Sequence, residues 1–329
     1  MRPLLDIDGL SISIPIAQGT LKAVRNISFT VAHGETLGVV GESGCGKSLT
    51  ALAIMGLLPR QAKVTSRHFL FEGEDLSKVS EPRRASLRGD QMAMIFQEPM
   101  TALNPTLTIG LQLTEVLRRH RSISWKEADE RAVELLTRVG VSEPRARLLQ
   151  YPHALSGGLR QRVMIAMALM CGPKLIVADE PTTALDVTIQ AQILNLLSEL
   201  KAERDMSMVF ISHDLGVVSR IADRIIVMYA GEIVEVGTRA HVLGNPRHPY
   251  TRALLDCLPL PRSGNRGKKL AAIDGIVPSL VDDVVGCAFS TRCAFAVPAC
   301  ATARLSLLGQ SDHATLCWRA DEIGLGAFA

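Results

Sequence analysis

The segment of the chain with the clearest chemistry is Gly-Glu-Ser-Gly-Cys-Gly-Lys-Ser at positions 41–48, which follows an apolar run at 36–40. Its glycines can adopt the positive φ angles that turn backbone N–H groups towards an anion, and they leave room for phosphate oxygens. Lys47 can reach the β- and γ-phosphates of a nucleotide, and Ser48 can offer its hydroxyl to Mg²⁺. The predicted helix at 48–55 points the positive end of its dipole at the same anion. The candidate nucleotide-binding residues here are Gly41, Glu42, Ser43, Gly44, Cys45, Gly46, Lys47, Ser48 and Leu49.

An acidic pair follows another apolar run, at 175–178. Asp179 can complete the shell of a Mg²⁺ ion, and Glu180 can orient and deprotonate an attacking water. The alternative interpretation is a surface Asp-Glu turn, which the presence of the phosphate loop disfavours. The two patterns together predict a site that hydrolyses a nucleotide.

A second surface suited to an anion lies at 155–161, where Leu-Ser-Gly-Gly-Leu-Arg-Gln precedes a predicted helix at 163–170. Ser156 can cap this helix, and Gly157 and Gly158 let its N-terminal amides approach a phosphate. Because the chain has a single phosphate loop, we expect this surface to face the nucleotide of another subunit. The alternative is an ordinary capped helix.

Two polar residues follow predicted strands, Gln97 after 92–96 and His213 after 208–212. Ligand sites in open α/β sheets lie beyond the carboxyl ends of the strands. Gln97 can therefore reach a γ-phosphate through Mg²⁺ or water, and His213 can act as a hydrogen-bonding sensor of the same group. A histidine at a strand end can also be a structural residue.

The elements that must position these residues follow an α/β pattern. Segments 10–14 and 24–31 alternate apolar and polar residues on either side of a turn at Gly19, which predicts an antiparallel hairpin layer. The short apolar runs that precede the candidate residues are typical of strands buried on both faces of a mostly parallel sheet.

A helical insertion separates the strand that ends near Gln97 from the strand that begins at 175. Segments 109–121 and 125–139 have helical spacing. Ser124, with Glu127 three residues later, forms the pattern of a capping box at the start of the second helix. We therefore predict a mainly helical subdomain here.

The order of these patterns resembles that of the ABC ATPases: Walker A at 41–48, Q-loop at Gln97, signature at 155–161, Walker B at 175–180, D-loop at 184–186 and switch histidine at His213. The resemblance covers about 4–255. Within that superfamily, segments 97–105 and 245–254 are similar to the ATPase subunits of dipeptide and oligopeptide importers.

The resemblance implies an ABC-type P-loop NTPase of the α/β class. Its expected parts are a RecA-like core, an antiparallel β layer and a helical subdomain at about 100–170. We predict an ABC nucleotide-binding domain at 1–258. Residues 259–329 are then a Pro-, Gly- and basic-rich linker followed by a small Cys-rich C-terminal extension.

The resemblance also implies how the site works. Two ATPase subunits pair head to tail, and each ATP lies between Walker A of one subunit and the signature of the other. Glu180 is then the general base and His213 the γ-phosphate switch. Asp186 links the subunits, and Ser156 with Gly158 contacts the phosphate in trans.

The implied partners are a second ABC ATPase subunit, which the family suggests is a paralogue in a heterodimer, and two transmembrane permease subunits. An extracytoplasmic solute-binding protein acts indirectly. The implied cofactors of the pair are ATP and Mg²⁺. The expected location is the cytoplasmic face of the inner membrane, as a peripheral subunit.

The adenine-binding position departs from the family pattern. An aromatic residue generally stacks on the base some two dozen positions before the phosphate loop, but the corresponding strand at 11–15 has none. We expect Ile14 to pack against the base instead, without the stacking energy of about 1 kcal/mol.

Four of the seven cysteines lie near the end of the chain: Cys287, Cys293, Cys300 and Cys317. Clustered thiols in a chain expected to be cytosolic favour a metal site over disulfides. Zinc ribbons use close C-x₂-C pairs, which these spacings lack, whereas irregular spacings suit an iron–sulfur cluster. Similar tails of peptide-importer ATPases are associated with a [4Fe-4S] cluster. Zinc, with His313 as a substitute ligand, and four unpaired thiols are the alternatives.

The composition limits the other function classes. A net charge of +3 in 329 residues is too small for a nucleic-acid footprint, so we expect no nucleic-acid partner. The acids Asp6 and Asp8 near the start are unlike a secretory segment. A soluble ABC ATPase acting on DNA or ribosomes needs coiled-coil insertions or a tandem cassette, and a small-molecule phosphotransferase leaves the signature and His213 unexplained.

Overall fold

Two β-sheets organise the chain. The computed structural model describes residues 2–183, 186–258, 272–281, 284–303, 305–310 and 312–325. Within them, five strands form an antiparallel sheet and eight form a mostly parallel one. The strands are β1 (Leu5–Ile16), β2 (Gly19–Val31), β3 (Thr36–Val40), β4 (Lys63–Thr65), β5 (His68–Phe71), β6 (Glu74–Asp75), β7 (Met92–Ile95), β8 (Leu175–Asp179), β9 (Ser207–Ser212), β10 (Arg224–Tyr229), β11 (Glu232–Thr238), β12 (Leu308–Gln310) and β13 (His313–Thr315).

Helices cover the sheets and fill the segment between β7 and β8. They are α1 (Lys47–Met55), α2 (Glu81–Leu87), α3 (Pro99–Ala102), α4 (Ile109–His120), α5 (Trp125–Arg138), α6 (Pro144–Leu148), α7 (Gly157–Ala168), α8 (Val187–Arg204), α9 (Leu215–Ile221), α10 (Arg239–Gly244), α11 (Pro249–Asp256) and α12 (Ala320–Ile323). Short 3₁₀ turns lie at Pro152–Ala154, Ser290–Arg292 and Pro298–Ala301.

The larger sheet has the strand order β12-β13-β11-β10-β3-β9-β8-β7. The five strands from β10 to β7 run parallel to one another, which confirms the predicted parallel core. Every residue of β3, β7, β8 and β9 is buried, because helices or the second sheet cover both faces. Their carboxyl ends meet at one edge of the sheet, where the candidate site residues follow.

The antiparallel sheet confirms the predicted hairpin layer. Strands β1 and β2 pair from Leu5 opposite Val31 to Ile16 opposite Gly19. Strands β4, β5 and β6, which extend this sheet on the other side of β1, were not predicted from the sequence. The hairpin contacts the phosphate loop directly, since a Cβ atom on Gly46 would lie 2.6 Å from the carbonyl oxygen of Ala23.

The segment between β7 and β8 is helical, as predicted. Helix α5 begins with the expected capping box: the Ser124 hydroxyl accepts from the amide of Glu127 at 3.2 Å, and the Glu127 carboxylate accepts from the Ser124 amide at 2.8 Å. Helices α4 and α5 bury Ile109, Leu113 and Leu135 in the same hydrophobic core as one face of the large sheet.

One predicted helix boundary is wrong. Helix α7 begins at Gly157 rather than at 163, because Ser156 takes the N-cap position and accepts from the amide of Leu159 at 3.4 Å. The glycines of the signature therefore form the first turn of the helix instead of a loop before it.

The C-terminal part of the chain joins the large sheet. Strand β13 pairs antiparallel with β11, and β12 pairs with β13. The predicted linker at 258–269 lies outside the described residues, apart from Leu258 at its start. The proposed division of the chain near residue 258 remains a prediction.

Candidate nucleotide-binding site

The phosphate loop connects β3 to α1 and is closed around Lys47. The ammonium group of Lys47 donates to the carbonyl oxygens of Gly41 at 2.8 Å and Glu42 at 2.9 Å. A Cβ atom on Gly41 would lie 2.2 Å from the carbonyl oxygen of Met228, and Gly46 has a φ of 100°. The loop is therefore a backbone cradle in which only glycine fits these two positions, and this cradle fits a nucleotide phosphate.

A hydroxyl–carboxylate pair connects the loop to strand β8, which is separated from β3 by β9. The hydroxyl of Ser48 donates to Asp179 Oδ1 at 3.0 Å. Burial raises the pKa of Asp179 above its ordinary value, and the bond from Ser48 opposes this rise. A divalent cation here would favour the ionised carboxylate. A hydroxyl and a carboxylate are oxygen ligands of the kind that Mg²⁺ prefers, so the pair fits the predicted ion.

Glu180 is the centre of the polar cluster at the sheet edge. Its Oε2 atom lies 3.0 Å from His213 Nδ1, accepts from Gln97 Nε2 at 3.3 Å and accepts from Thr183 Oγ1 at 2.8 Å. Glu180 has a φ of 46°, in the left-handed region. The backbone turn directly after β8 thus holds this carboxylate where the ends of β7 and β9 can contact it.

The structure brings together three of the predicted catalytic residues, Glu180, His213 and Gln97, as the parallel-sheet argument required. Gln97 contacts Glu180 rather than Ser48, so the described geometry does not place it in the Mg²⁺ pair. Thr183 was not predicted. The sequence shows a hydroxyl residue three positions after Glu180. Only the backbone turn after β8 brings that hydroxyl within hydrogen-bonding distance of the Glu180 carboxylate.

The signature residues Ser156, Gly157 and Gly158 form the N-cap and the start of α7. Within the described residues, no hydrogen bond connects Ser156, Gly157 or Gly158 with the loop at 41–48. Ser156 and Gly157 are exposed, and a Cβ atom on Gly157 would meet no other atom within 4 Å. The first turn of α7 is therefore an open, capped helix end that an anion from outside the chain can reach.

The D-loop is only partly visible. Asp186 caps α8, with its Oδ1 accepting from the amide of Ile189 at 2.9 Å. The preceding residues of the predicted D-loop, 184 and 185, lie outside the described residues. The side chain of Asp186 is exposed. A second subunit can therefore reach it, and the contact itself remains a prediction.

The predicted base-binding residue Ile14 lies in β1 opposite Leu21. Two residues away, Ile12 pairs with Val24, and a Cβ atom on Gly46 would lie 3.0 Å from a methyl group of Val24. Ile14 is half-buried. The hairpin side chain that these distances place beside the phosphate loop is Val24, and the packing of Ile14 against a base remains a prediction.

The four C-terminal cysteines line one cavity, together with Phe289 and Phe295. All are free thiols. Burial raises the pKa of Cys287 to about 11, and the neighbouring thiols contribute to this rise. Among the described residues, however, no group of three or more His, Cys, Asp or Glu side chains is arranged to hold a metal ion.

The expectation that His313 could substitute as a metal ligand is wrong. His313 lies in β13 with its Nε2 2.8 Å from Glu235 Oε1, and it does not line the cysteine cavity. A buried carboxylate uses the imidazole as a hydrogen-bonding partner, so His313 is occupied elsewhere.

Two other residues contact the phosphate loop from the C-terminal part of the chain and were not predicted. The hydroxyl of Tyr250 accepts from the amide of Glu42 at 2.9 Å, and Arg292 pairs with the Glu42 carboxylate. Tyr250 lies in segment 245–254, which the sequence analysis used only for its family resemblance. Nothing in the sequence relates Arg292 to a loop 250 residues earlier.

The fold and the site define an ABC-class ATPase: a phosphate loop after β3, paired acids at the end of β8, and a capped glycine helix on a helical insertion. A family profile described as ABC transporter matches residues 24–183, and another, described as oligopeptide/dipeptide transporter, C-terminal region, matches residues 234–300. A solved structure of the ATP-binding cassette MJ0796, in a dimeric post-hydrolysis state bound to ADP and Pi, is 27% identical. It covers 71% of this chain and 98% of that chain, with a TM-score of 0.65.

Curated relatives narrow the class to one family. The dipeptide transport ATP-binding protein DppD of Bacillus subtilis is 48% identical over 324 residues, which are 98% of this chain and 96% of the relative. DppD of Escherichia coli is 48% identical over 90% of each chain. The oligopeptide transport ATP-binding protein OppD of Bacillus subtilis is 51% identical over 89% of this chain and 82% of its own.

The chain therefore belongs to the ATP-binding proteins of the oligopeptide/dipeptide ABC transporter family. It is an ATP-binding subunit whose ATP hydrolysis is coupled to transport, and ATP with Mg²⁺ is its expected nucleotide complex. Within the described part of the chain, no helix has the length and apolar character needed to cross a bilayer.

Proposed function

We propose that this chain is one of two ATPase subunits that drive a peptide importer. Its cargo class follows from relatives whose names specify dipeptide and oligopeptide transport and which span nearly its whole length. The same full-length similarity argues against a soluble ABC ATPase that acts on DNA or ribosomes. Two permeases and an extracytoplasmic solute-binding protein complete the proposed importer, with this chain at the cytoplasmic face of the inner membrane.

The observation that carries the catalytic assignment is the convergence of His213, Gln97 and Thr183 on one oxygen of Glu180. Glu180 is the proposed general base, because its carboxylate lies beside the Ser48–Asp179 pair that would hold Mg²⁺. His213 and Gln97 detect a bound γ-phosphate by a change of hydrogen-bonding partner. They exchange their bonds to Glu180 for bonds to the nucleotide or to the attacking water. The ion itself would polarise the phosphate oxygens.

The proposed active unit is a head-to-tail pair. Ser156 and Gly157 are exposed, and among the described residues no hydrogen bond connects them with the chain's own loop, so they can contact a triphosphate held by a second subunit. The structure of MJ0796 bound to ADP and Pi is dimeric, which supports such a pairing. The partner is proposed to be a paralogue, and Asp186 and Gly158 lie on the face that it would cover.

Reconstitution of the complete transporter tests this proposal. The chain would be purified from membranes with its associated subunits, placed in liposomes and supplied with the binding protein. We expect peptide-loaded binding protein to stimulate ATP hydrolysis and peptide uptake together, and Lys47→Ala to abolish both. ATP hydrolysis that no peptide stimulates, or co-purification without any permease, would contradict the assignment.

We further propose that Cys287, Cys293, Cys300 and Cys317 hold a [4Fe-4S] cluster, within a C-terminal extension beginning near residue 259. In support, four free thiols line one cavity and influence each other's ionisation. A zinc ion needs every sulfur about 2.3 Å from one point, and the described residues offer no such group. A larger cluster core relaxes that demand, and it would cross-link the extension structurally.

Anaerobic purification followed by iron, sulfide and zinc analysis tests the cluster. The expected result is about four iron and four sulfide atoms per chain, both lost in Cys293→Ser. Cys171→Ser is the matched control, because Cys171 lies in the helical segment, away from the cavity. Stoichiometric zinc without iron, or neither metal, would refute the proposal.

A further inference from the structure

The phosphate loop contains an acid, Glu42, at a place built to bind an anion. A carboxylate near a triphosphate is repelled by it, and the repulsion is stronger where water is partly excluded. Glu42 is half-buried, with 24% of its side chain exposed. The loop therefore requires a counter-charge if it is to bind ATP tightly.

That counter-charge comes from Arg292, at the end of the 3₁₀ turn Ser290–Arg292. Its Nη1 donates to Glu42 Oε2 at 2.7 Å and its Nη2 donates to Oε1 at 3.0 Å. Two parallel bonds from one guanidinium to one carboxylate fix both the position and the orientation of the acid. Only 4% of the Arg292 side chain is exposed, so little solvent screens the pair.

Arg292 is itself held in place by the surrounding backbone. Its Nε donates to the carbonyl oxygen of Asp274 at 2.9 Å, and Nη2 also donates to that of Ile273 at 3.0 Å. Nη1 lies 3.3 Å from the hydroxyl of Tyr229, to which it donates. These bonds hold the guanidinium of Arg292 in place without Glu42. The Glu42 carboxylate therefore binds to a group whose position is already fixed.

The backbone of the same loop residue is held from another side. The amide of Glu42 donates to the hydroxyl of Tyr250, whose ring is fully buried. The rings of Tyr229, Tyr250 and Phe289 pack against one another with centroids 4.7 to 5.3 Å apart. Phe289 and Arg292 belong to the same turn, so one short C-terminal segment supports the loop through both packing and charge.

We propose that Arg292 is a positioning residue for nucleotide binding, which neutralises Glu42 and holds the start of the phosphate loop in its binding conformation. ATP affinity then depends on a segment near the C-terminus of the chain. This inference rests on the loop binding ATP, and it adds a residue that touches neither the phosphates nor the reacting water.

Titration of the purified full-length chain with a fluorescent ATP analogue and Mg²⁺ tests the proposal. For Arg292→Met we expect Kd to rise about tenfold, which corresponds to about 1.4 kcal/mol. Glu42→Gln is the reference variant for this cycle, because it removes the charge that Arg292 neutralises and keeps the shape of the side chain. The double variant should return to within about twofold of Glu42→Gln, because no unpaired carboxylate remains. Arg292→Lys keeps the charge without the paired bonds and should be intermediate.

Steady-state kinetics of the assembled transporter give a second readout. Arg292→Met should raise the KM for ATP and leave kcat within about twofold, since the residue acts on binding and not on hydrolysis. The matched control is Arg319→Met, because Arg319 is another arginine of the C-terminal segment but bonds to Glu322 and the carbonyl oxygen of Phe295 instead of the loop. It should leave Kd unchanged.

Two results would overturn the inference. Arg292→Met could bind the analogue as the parent does, or Glu42→Gln could fail to restore binding in the double variant, which would leave Arg292 a purely structural role. A parent chain whose binding does not depend on Lys47 would instead refute the nucleotide site itself. The two failures are therefore distinguishable.

Discussion

Nδ1 of His213 lies 3.0 Å from Oε2 of Glu180, although the two residues are 33 positions apart in the chain. They meet because β8 and β9 are parallel neighbours, so the residues after their carboxyl ends occupy the same edge of the sheet. The imidazole contacts the same carboxylate oxygen as Gln97 and Thr183. A γ-phosphate or water that enters this cluster must displace some of these hydrogen bonds. Nucleotide binding would therefore change the hydrogen bonding of Glu180, the proposed general base.

Replacing Glu180 by Gln should separate binding from hydrolysis. The amide keeps the shape of the side chain but cannot accept a proton from water, so turnover should fall by about 10²- to 10⁴-fold. Affinity for ATP should stay within about threefold of the parent, because the loop and the Ser48–Asp179 pair are unchanged. ATPase assays and nucleotide titrations of the assembled transporter measure the two quantities. Hydrolysis at the parental rate would show that another group is the base.

The parallel core and the candidate site residues could be predicted from the sequence for one reason. A short apolar run followed directly by a polar residue is typical of a buried strand that ends at a ligand site. Strand β3 and the capping box of α5 were predicted with correct boundaries. The cap of α7 at Ser156 was predicted correctly, but the helix itself was predicted to begin only at 163, and two consecutive glycines at a helix start carry an entropic cost. In the structure, the Ser156 cap and the packing of the later residues of α7 outweigh that cost.

The contacts that could not be predicted are those between distant parts of the chain. Strands β5 and β6 have short, weakly patterned sequences, and each depends on a neighbour for its pairing: β5 pairs with β1, and β6 pairs with β5. The pair of Arg292 with Glu42 depends on how the C-terminal segment folds back, and no local periodicity encodes this. His313 was misassigned for the same reason, since its partner Glu235 is 78 positions away.

Ser156 has two expected roles that a matched pair of variants can separate. Removing an N-cap hydroxyl costs about 1 kcal/mol of stability, so Ser156→Ala and Ser124→Ala should lower the free energy of unfolding by similar amounts. Ser124 caps α5 and lies outside the site. If Ser156 also contacts the partner's ATP, its variant alone should lose about tenfold or more in transporter ATPase activity, as expected for a bond to a charged group. Chemical denaturation measures the stability of the two variants, and ATPase assays of the transporter measure their activity. Equal ATPase activities of Ser156→Ala and Ser124→Ala would contradict a contact between Ser156 and the partner's ATP.

Gly38 should be intolerant of any side chain. A Cβ atom there would lie 2.2 Å from a methyl group of Val218 and 2.9 Å from Cβ of Ala222, where α9 packs on β3. Gly38→Ala should therefore cost about 1 to 3 kcal/mol of unfolding free energy through overpacking. Gly244→Ala is the control, since a Cβ at the end of α10 meets no atom within 4 Å. Its stability should be unchanged or slightly higher, and a similar loss in both variants would refute the packing argument.

His248 should make the fold sensitive to acid. Burial lowers the pKa of His248 from 6.5 to about 4, although the nearby Glu235 opposes the shift. In the native state its Nδ1 accepts from the amide of Tyr250, a bond that protonation of that nitrogen would remove. Between these two pH values the unfolded chain binds a proton that the native chain does not, so stability falls as pH decreases through this window and levels off below it.

The difference between the two pKa values of His248 sets the size of the loss of stability in acid. The free energy of unfolding should decrease by up to about 3 kcal/mol between pH 6.5 and pH 4, on top of contributions from other groups. His248→Gln keeps an acceptor for the Tyr250 amide but has no proton to bind, so its curve should be flatter over this range. His33→Gln serves as the control, because His33 is exposed. Urea denaturation at a series of pH values measures all three proteins. If His248→Gln retained the full parental slope, the acid sensitivity would have to arise from other titrating groups.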